Sequence, residues 1–231
     1  MTDDATGFDE YADAYDDAVR RSIAFSGASH DFFTRRKVQC LLDLASRWLG
    51  PPESLSALDF GCGVGLTDAH LAGRFGELAG VDTAPEVIRR AAASNPSVSY
   101  RVYDGEHLPY ADEQFDLAFA ICVLHHVPPE RRPGLVSELR RVVRPGGLVA
   151  VFEHNPLNPL TRLAVYRCAF DGDAVLATAG AIDRLLRGAA LRPVERRYVI
   201  LLPSDRRRVR ALEHALGALP LAAQYYVAGQ R

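Results

Sequence analysis

The apolar positions of this chain of 231 residues follow two different periods. Over residues 8–26 and 30–49 they recur every three or four residues, which is the period of an amphipathic helix. Farther along, short and nearly continuous apolar runs predict five strands, at residues 54–60, 77–82, 98–103, 115–121 and 146–153. Because these strands are apolar on both faces, they indicate a parallel sheet that helices cover on each side.

Helical patterns separate most of these strands, and the pattern changes beyond residue 155. Three helices are predicted between the strands, at residues 64–75, 84–94 and 130–143. The last part predicts helices and strands in a different order: helices 160–169 and 173–188, strand 193–202, helix 205–217 and strand 222–229. We predict an α/β fold with an N-terminal helical cap at residues 1–50 and a main domain at residues 51–231. Residues 155–190 are the candidate insertion that covers a substrate.

The first strand is followed by three alternating glycines: Gly61, Gly63 and Gly65. Glycine permits a tight turn from strand to helix, and it removes the side chain where backbone must touch a ligand. A helix that begins at Val64 would direct unpaired N–H groups and its positive end at an anionic group. The spacing differs from the Gly-x-Gly-x-x-Gly pattern of dinucleotide-binding proteins, because position 66 is Leu66.

Acidic residues follow the next two strands. Asp82 ends the second strand, where a carboxylate can accept hydrogen bonds from both hydroxyls of a ribose. The segment that begins Asp104-Gly105-Glu106 follows the third strand. The fifth strand is preceded by an Arg-Pro-Gly-Gly turn at residues 144–147.

In this order, these segments resemble the class I S-adenosylmethionine (SAM)-dependent methyltransferases that act on small molecules. The resemblance covers about residues 57 to 153. It implies a Rossmann-like, doubly wound sheet of seven strands in the order 3-2-1-4-5-7-6, with the last strand antiparallel. It also implies SAM as the cofactor.

The resemblance assigns cofactor-binding roles to particular residues. Asp82 is expected to hold the ribose and Asp104 the adenine amino group, while Tyr11 and Tyr15, one helical turn apart, are expected to close over the cofactor. The full predicted set is Asp59, Gly61, Cys62, Gly63, Gly65, Asp82, Thr83, Asp104, Gly105, Glu106, Ile121 and Tyr15.

Candidate catalytic residues follow the fourth and fifth strands, because ligands of open α/β sheets bind beyond the carboxyl ends of the strands. An oxygen or nitrogen nucleophile loses a proton during methyl transfer, and histidine is suited to accept it. His154 is a candidate base, with Glu153 orienting it or binding an acceptor ammonium. His125 and His126 are the alternative candidates. Local packing and capping roles remain open for all four residues.

Composition restricts the partners. A net charge of −2 disfavours nucleic acid, which requires a basic face. The four cysteines have no paired short spacing, so no metal is predicted. No apolar run approaches the roughly 18 residues of a membrane span, and the N-terminus lacks the layout of a signal peptide, so a cytoplasmic protein without a membrane partner is predicted. Lys37, the only lysine, is a candidate to reach a carboxylate of SAM or substrate.

We therefore predict transfer of the SAM methyl group to a small-molecule acceptor in specialised or glycan-related bacterial metabolism. An oxygen or nitrogen nucleophile is favoured, and a carbon acceptor is left open. The alternative is a SAM-binding regulatory protein, or another protein of this fold that transfers no methyl group. The sequence does not assign an oligomeric state.

Overall fold

The structure, a computed structural model, describes residues 15–231 and the side chains of all of these except residues 15–18 and 170. The predicted contacts of Tyr11 and of the Tyr15 side chain with a cofactor lie outside the described residues. Among the described residues, no helix combines the length and the apolar character that crossing a bilayer would require.

Strands and helices alternate through the middle of the chain. The strands are β1 (Ser56–Phe60), β2 (Glu77–Asp82), β3 (Ser99–Val102), β4 (Phe115–Ile121), β5 (Val143–His154), β6 (Arg192–Val199) and β7 (Gln224–Gln230). The helices are α1 (Tyr15–Ile23), α2 (His30–Trp48), α3 (Asp68–Leu71), α4 (Pro85–Ser94), α5 (Arg132–Val142), α6 (Pro159–Arg167), α7 (Ala179–Gly188) and α8 (Arg207–Leu216).

The seven strands form one sheet in the order β3-β2-β1-β4-β5-β7-β6, which confirms the predicted order. Strand β7 runs antiparallel to both of its neighbours, β5 and β6, as predicted. In the register of β5 and β7, His154 lies opposite Gln224. The strand order reverses between β1 and β4, which lie side by side. At such a switch point the carboxyl ends of the strands border a crevice.

Helices cover both faces of the sheet. On one face, Leu41 and Leu44 of α2 are fully buried in one hydrophobic layer with Phe119 and Phe152 of the sheet. Helices α5 and α7 cover the opposite face. Helix α2 therefore contributes to the core of the sheet, and the boundary at residue 50 stays a prediction.

The predicted helix at residues 64–75 was wrong in its start and its length. Only Asp68–Leu71 are helical, and residues 64–67 form turns. Gly65 has a φ of +76°, which an α-helix cannot accommodate, and a Cβ there would lie 2.5 Å from Nδ2 of Asn95. Since Asn95 packs this closely against the loop, the helix begins one turn later than the glycine pattern indicates.

Candidate active site

Two cavities lie at the carboxyl edge of the sheet. The larger cavity has a volume of about 940 Å³ and the smaller one of about 180 Å³. Nine predicted cofactor residues line the larger cavity: Asp59, Gly61, Cys62, Gly63, Asp82, Thr83, Gly105, Glu106 and Ile121. The side chains and loops that the resemblance assigns to a cofactor are thus brought together from four strand ends.

Asp82 is held at the edge of the larger cavity by backbone donors. The N–H of Gly63 donates to Oδ2 of Asp82 at 3.1 Å, and the N–H of Ala84 donates to Oδ1 at 3.1 Å. Gly63 has a φ of +54°, and a Cβ there would meet no atom within 4 Å. The loop therefore presents bare backbone to the cavity, and its N–H groups fix the Asp82 carboxylate at the cavity edge.

Two predicted cofactor residues, Gly65 and Asp104, do not line the cavity. The carbonyl of Gly65 accepts a hydrogen bond from Asn95 Nδ2 at 3.0 Å, so Gly65 serves the packing of the loop. Oδ1 of Asp104 accepts hydrogen bonds from the N–H groups of His107 at 2.6 Å and Glu106 at 2.8 Å. These bonds lower the pKa of Asp104 and shape the segment whose residues 105–107 do line the cavity.

Sequence reasoning missed a second acid beside Asp59. Asp59 and Asp68 are both buried, and the hydroxyl of Tyr100 donates to Oδ2 of Asp68 at 2.7 Å. Burial, followed by the charges of Asp68 and Asp82, raises the pKa of Asp59, while burial raises the pKa of Asp68 to about 6. Because Asp68 lies in a region predicted as continuous helix, its position under the glycine loop had no signal in the sequence.

Lys37 lies where the two cavities meet. It projects from α2, is 7% exposed and lines both cavities, with Nζ 3.6 Å from Sγ of Cys122. Cys122 follows β4 with a φ of +59°, which is rare for a residue with a side chain. Burial raises the pKa of its thiol, but the charges of Lys37 and His154 bring it down to about 7. Cys122 itself lines both cavities.

His125 is buried between two carboxylates. Its Nδ1 lies 2.6 Å from Oε2 of Glu153, and its Nε2 lies 3.5 Å from Oδ1 of Asp171. Burial lowers the pKa of His125, but Glu153 and then Asp171 raise it to about 10. The imidazole is therefore charged at neutral pH and is unsuited to accept a proton.

Glu153 pairs with His125, and not with His154 as the sequence analysis suggested. Both side chains approach His125, since Oε2 of Glu153 lies 2.6 Å from its Nδ1 and the ring of His154 lies 5.1 Å from its ring, centroid to centroid. Nδ1 of His154 lies 3.4 Å from Nε2 of Gln224 instead. His154 lines the smaller cavity.

His126 lines both cavities. Burial and the positive charge of His125 lower the pKa of His126 to about 4, so its imidazole is neutral at neutral pH. Its Nε2 lies 3.5 Å from Oδ1 of Asp171, the same oxygen that faces His125. Asp171 and Gln224 were not predicted, because only the folded chain brings them to the histidines.

The ligand atoms of His125, His154 and Asp171 lie within 4.8 Å of one another, a spacing that is compatible with a metal ion. A metal requires a lone pair on each imidazole nitrogen that binds it. Without an ion, Glu153 and Asp171 raise the pKa of His125 to about 10, and these residues form an ion-pair network.

Comparison with known proteins agrees with this geometry. Residues 58–151 match the family model described as "Methyltransferase domain". The chain is 33% identical over 155 residues to norajmaline N-methyltransferase of Rauvolfia serpentina, covering 63% of this chain and 51% of that protein. It is 33% identical over 120 residues to ubiquinone biosynthesis O-methyltransferase of Rhizobium etli, covering 50% of this chain and 48% of that protein.

A solved structure from Thermotoga maritima, described as a SAM-dependent methyltransferase and possible histamine N-methyltransferase, has the same fold over nearly the whole chain. The TM-score is 0.68 at 18% identity, with 99% of each chain covered. The present chain spans about half the length of the curated relatives it matches. The matched domain at residues 58–151, the strand order and the lined crevice are similar to those of class I SAM-dependent methyltransferases, and this similarity implies SAM as the cofactor.

Proposed function

We propose that the protein transfers the methyl group of SAM to an oxygen or nitrogen nucleophile of a small-molecule acceptor. The larger cavity would hold SAM and the smaller cavity the acceptor. The observation that carries this proposal is that four residues line both cavities: His30, Lys37, Cys122 and His126. Methyl transfer requires that the two reactants meet in line, and a junction between two cavities supplies that meeting point.

The residues of the larger cavity fit the parts of SAM. When bound, SAM supplies a methyl group on a positively charged sulfur. Asp82 would accept hydrogen bonds from the ribose, and residues 105 and 106 would border the adenine with Asp104 beside them. At the other end, the Lys37 ammonium would bind the carboxylate and Asp59 the ammonium of the methionine part, because each offers the opposite charge.

We assign the proton transfer to His126. It lines both cavities and is neutral at neutral pH, so it can accept the proton that the nucleophile loses as the new bond to carbon forms. The sulfur keeps the electron pair of the broken bond. His154 lines the same smaller cavity and is the second candidate base. Glu153 and His125 are positioning residues, because their ion pair fixes His125 beside His126.

The walls of the smaller cavity support a partly apolar acceptor. They include Phe25, Phe33, Leu160, Val165 and Leu201, whereas polar groups of Lys37, His126 and His154 line the same space. Residues 155–190 supply Leu160 and Val165, which supports their proposed role as a substrate cover. Specialised or glycan-related bacterial metabolism, and a cytoplasmic location, stay predictions.

The decisive experiment incubates the protein with SAM and a fractionated small-molecule extract and measures S-adenosylhomocysteine by mass spectrometry. We expect release that depends on one fraction, and loss of release in Asp82→Ala. A protein that binds SAM in calorimetry but releases no S-adenosylhomocysteine with any fraction would instead be a SAM-binding regulator, the alternative predicted from the sequence.

A further inference from the structure

Five exposed leucines lie on three segments of the chain that also contribute residues to the lining of the smaller cavity. This leucine rim consists of Leu157, Leu160, Leu202, Leu219 and Leu221, each between 48% and 59% exposed. Single exposed leucines are ordinary, but clusters of apolar side chains at one place mark interaction surfaces. Leu160 belongs to the rim and also lines the cavity, as do Leu201 and Pro203 beside Leu202 in the sequence.

Hydrogen bonds beneath the rim hold its three segments together. Nδ2 of Asn158 donates to the carbonyl of Leu221 at 2.8 Å, and the hydroxyl of Thr161 donates to the carbonyl of Ala223 at 2.8 Å. The N–H of Ala223 donates in turn to the carbonyl of Ile200 at 3.0 Å. These hydrogen bonds join the three segments to one another, and the leucine side chains on the same segments are exposed.

A cationic segment adjoins the rim. Between Leu202 and Leu219, the chain carries four exposed arginines: Arg206, Arg207, Arg208 and Arg210. The one acid of α8, Glu213, points inward and pairs with Arg36 at 2.5 Å, and both side chains are buried. Glu213 therefore does not offset the four exposed arginines, and Asp205 is the one exposed acid of this segment, which leaves it with a net positive charge.

We propose that the leucine rim and the arginines of α8 dock on the surface of an anionic lipid bilayer. The surface of such a bilayer has an outer region of anionic headgroups and an apolar region of acyl chains beneath it. Arginines bind the headgroups, and leucines enter the boundary of the acyl chains. A bilayer seated there would lie against segments that also line the smaller cavity. The sequence predicts no membrane partner because it contains no spanning apolar run, and a docking surface assembled from separate segments leaves no such run in the sequence.

The test measures co-sedimentation of the purified protein with phosphatidylcholine vesicles, with and without phosphatidylglycerol. We expect binding to the anionic vesicles that weakens with added salt. Leu157→Asp with Leu202→Asp, and separately Arg207→Glu with Arg208→Glu, should each weaken binding by about tenfold or more. None of these residues lines either cavity, so we expect the SAM affinity of each variant in calorimetry to be unchanged. An unchanged affinity also shows that the variant is folded.

Matched controls come from other surfaces of the molecule. Val102 is 43% exposed on β3, the opposite edge of the sheet, and Arg74 is an exposed arginine near β2. Val102→Asp and Arg74→Glu should leave vesicle binding unchanged. The proposal is overturned if the protein ignores anionic vesicles or if the controls weaken binding as much. It is also overturned if the protein is a dimer in solution that Leu157→Asp dissociates, because a second copy would then cover the rim.

Discussion

Nδ1 of His125 lies 2.6 Å from Oε2 of Glu153, and both side chains are almost completely buried. Breaking a buried pair by removing one partner leaves an uncompensated charge, which costs about 3–5 kcal/mol. The pair also places a positive charge directly beside His126, which keeps His126 neutral. One buried ion pair therefore affects both the stability of the fold and the protonation of the proposed base.

Stability should depend on pH through this pair. The pKa of folded His125, about 10, lies above its ordinary value of 6.5, so its contribution is complete below about pH 6.5 and is lost as pH rises through 10. The pKa values of Glu153 and Asp171 are lowered, so their contributions are present above the usual carboxyl range and lost in acid. In urea unfolding, the difference between wild type and His125→Gln should be largest between these limits. A difference that is constant from acid to pH 10 would contradict the ion pair.

His126→Gln should lower turnover by about a hundredfold or more, because a positioned base typically contributes a factor of this size. SAM affinity should stay unchanged in calorimetry. His214→Gln, on the exposed side of α8, is the matched control and should retain turnover. If His126→Gln is as active as the control, the base is His154, and His154→Gln should then lose activity.

Gly63→Ala should abolish SAM binding, while Gly73→Ala should not. Both glycines have a positive φ, +54° and +73°, and a Cβ would meet no atom within 4 Å at either position. Both substitutions therefore carry similar backbone strain, of order 1–2 kcal/mol, visible as a lower melting temperature. Only Gly63 lines the larger cavity, so only its substitution obstructs the cofactor. Equal SAM affinity of the two variants would remove Gly63 from the site.

SAM should bind less tightly in mild acid. The pKa of Asp68 is raised to about 6 and that of Asp59 is raised as well, so the pair takes up a proton as pH falls through this range. A protonated pair attracts the SAM ammonium less strongly than an ionised one. Calorimetry should show affinity falling as pH is lowered toward 5, and Asp68→Asn should flatten that profile. A wild-type affinity that does not change with pH would separate the acid pair from the cofactor.

Removal of metal should have no effect on the protein. Because Glu153 and Asp171 already balance the charge of His125 without an ion, dialysis against a chelator should leave the melting temperature and the release of S-adenosylhomocysteine unchanged. If added Zn²⁺ or Mn²⁺ restores a property that the chelator removed, then His125, His154 and Asp171 hold a metal after all.

The sheet was predictable because its strands are buried on both faces and their apolar runs stand out from the helices between them. Strands β2 and β4 were predicted at the bounds that the structure shows, Glu77–Asp82 and Phe115–Ile121. The start of α3 was not predictable, because contacts of Gly65 with the distant Asn95 determine it.

The residue types around the proposed base were predictable from the sequence, but their hydrogen-bond and ion-pair partners were not. The histidines and Glu153 follow β4 and β5, as the sequence indicates. Which of them touch depends on the position of His125 between Glu153 and Asp171, and Asp171 ends a short 3-10 helix 17 residues beyond His154. Gln224 reaches His154 through the register of β5 and β7, which joins positions 70 residues apart.

Lys37 gives the protein an unusual chemical handle. Lys37 is the single lysine of the sequence, so it carries the one side-chain primary amine. It lies between the two cavities. An amine-reactive label would therefore modify a single internal position besides the chain terminus. A ligand in either cavity would cover Lys37 and slow the labelling, so the labelling rate reports whether a cavity is occupied.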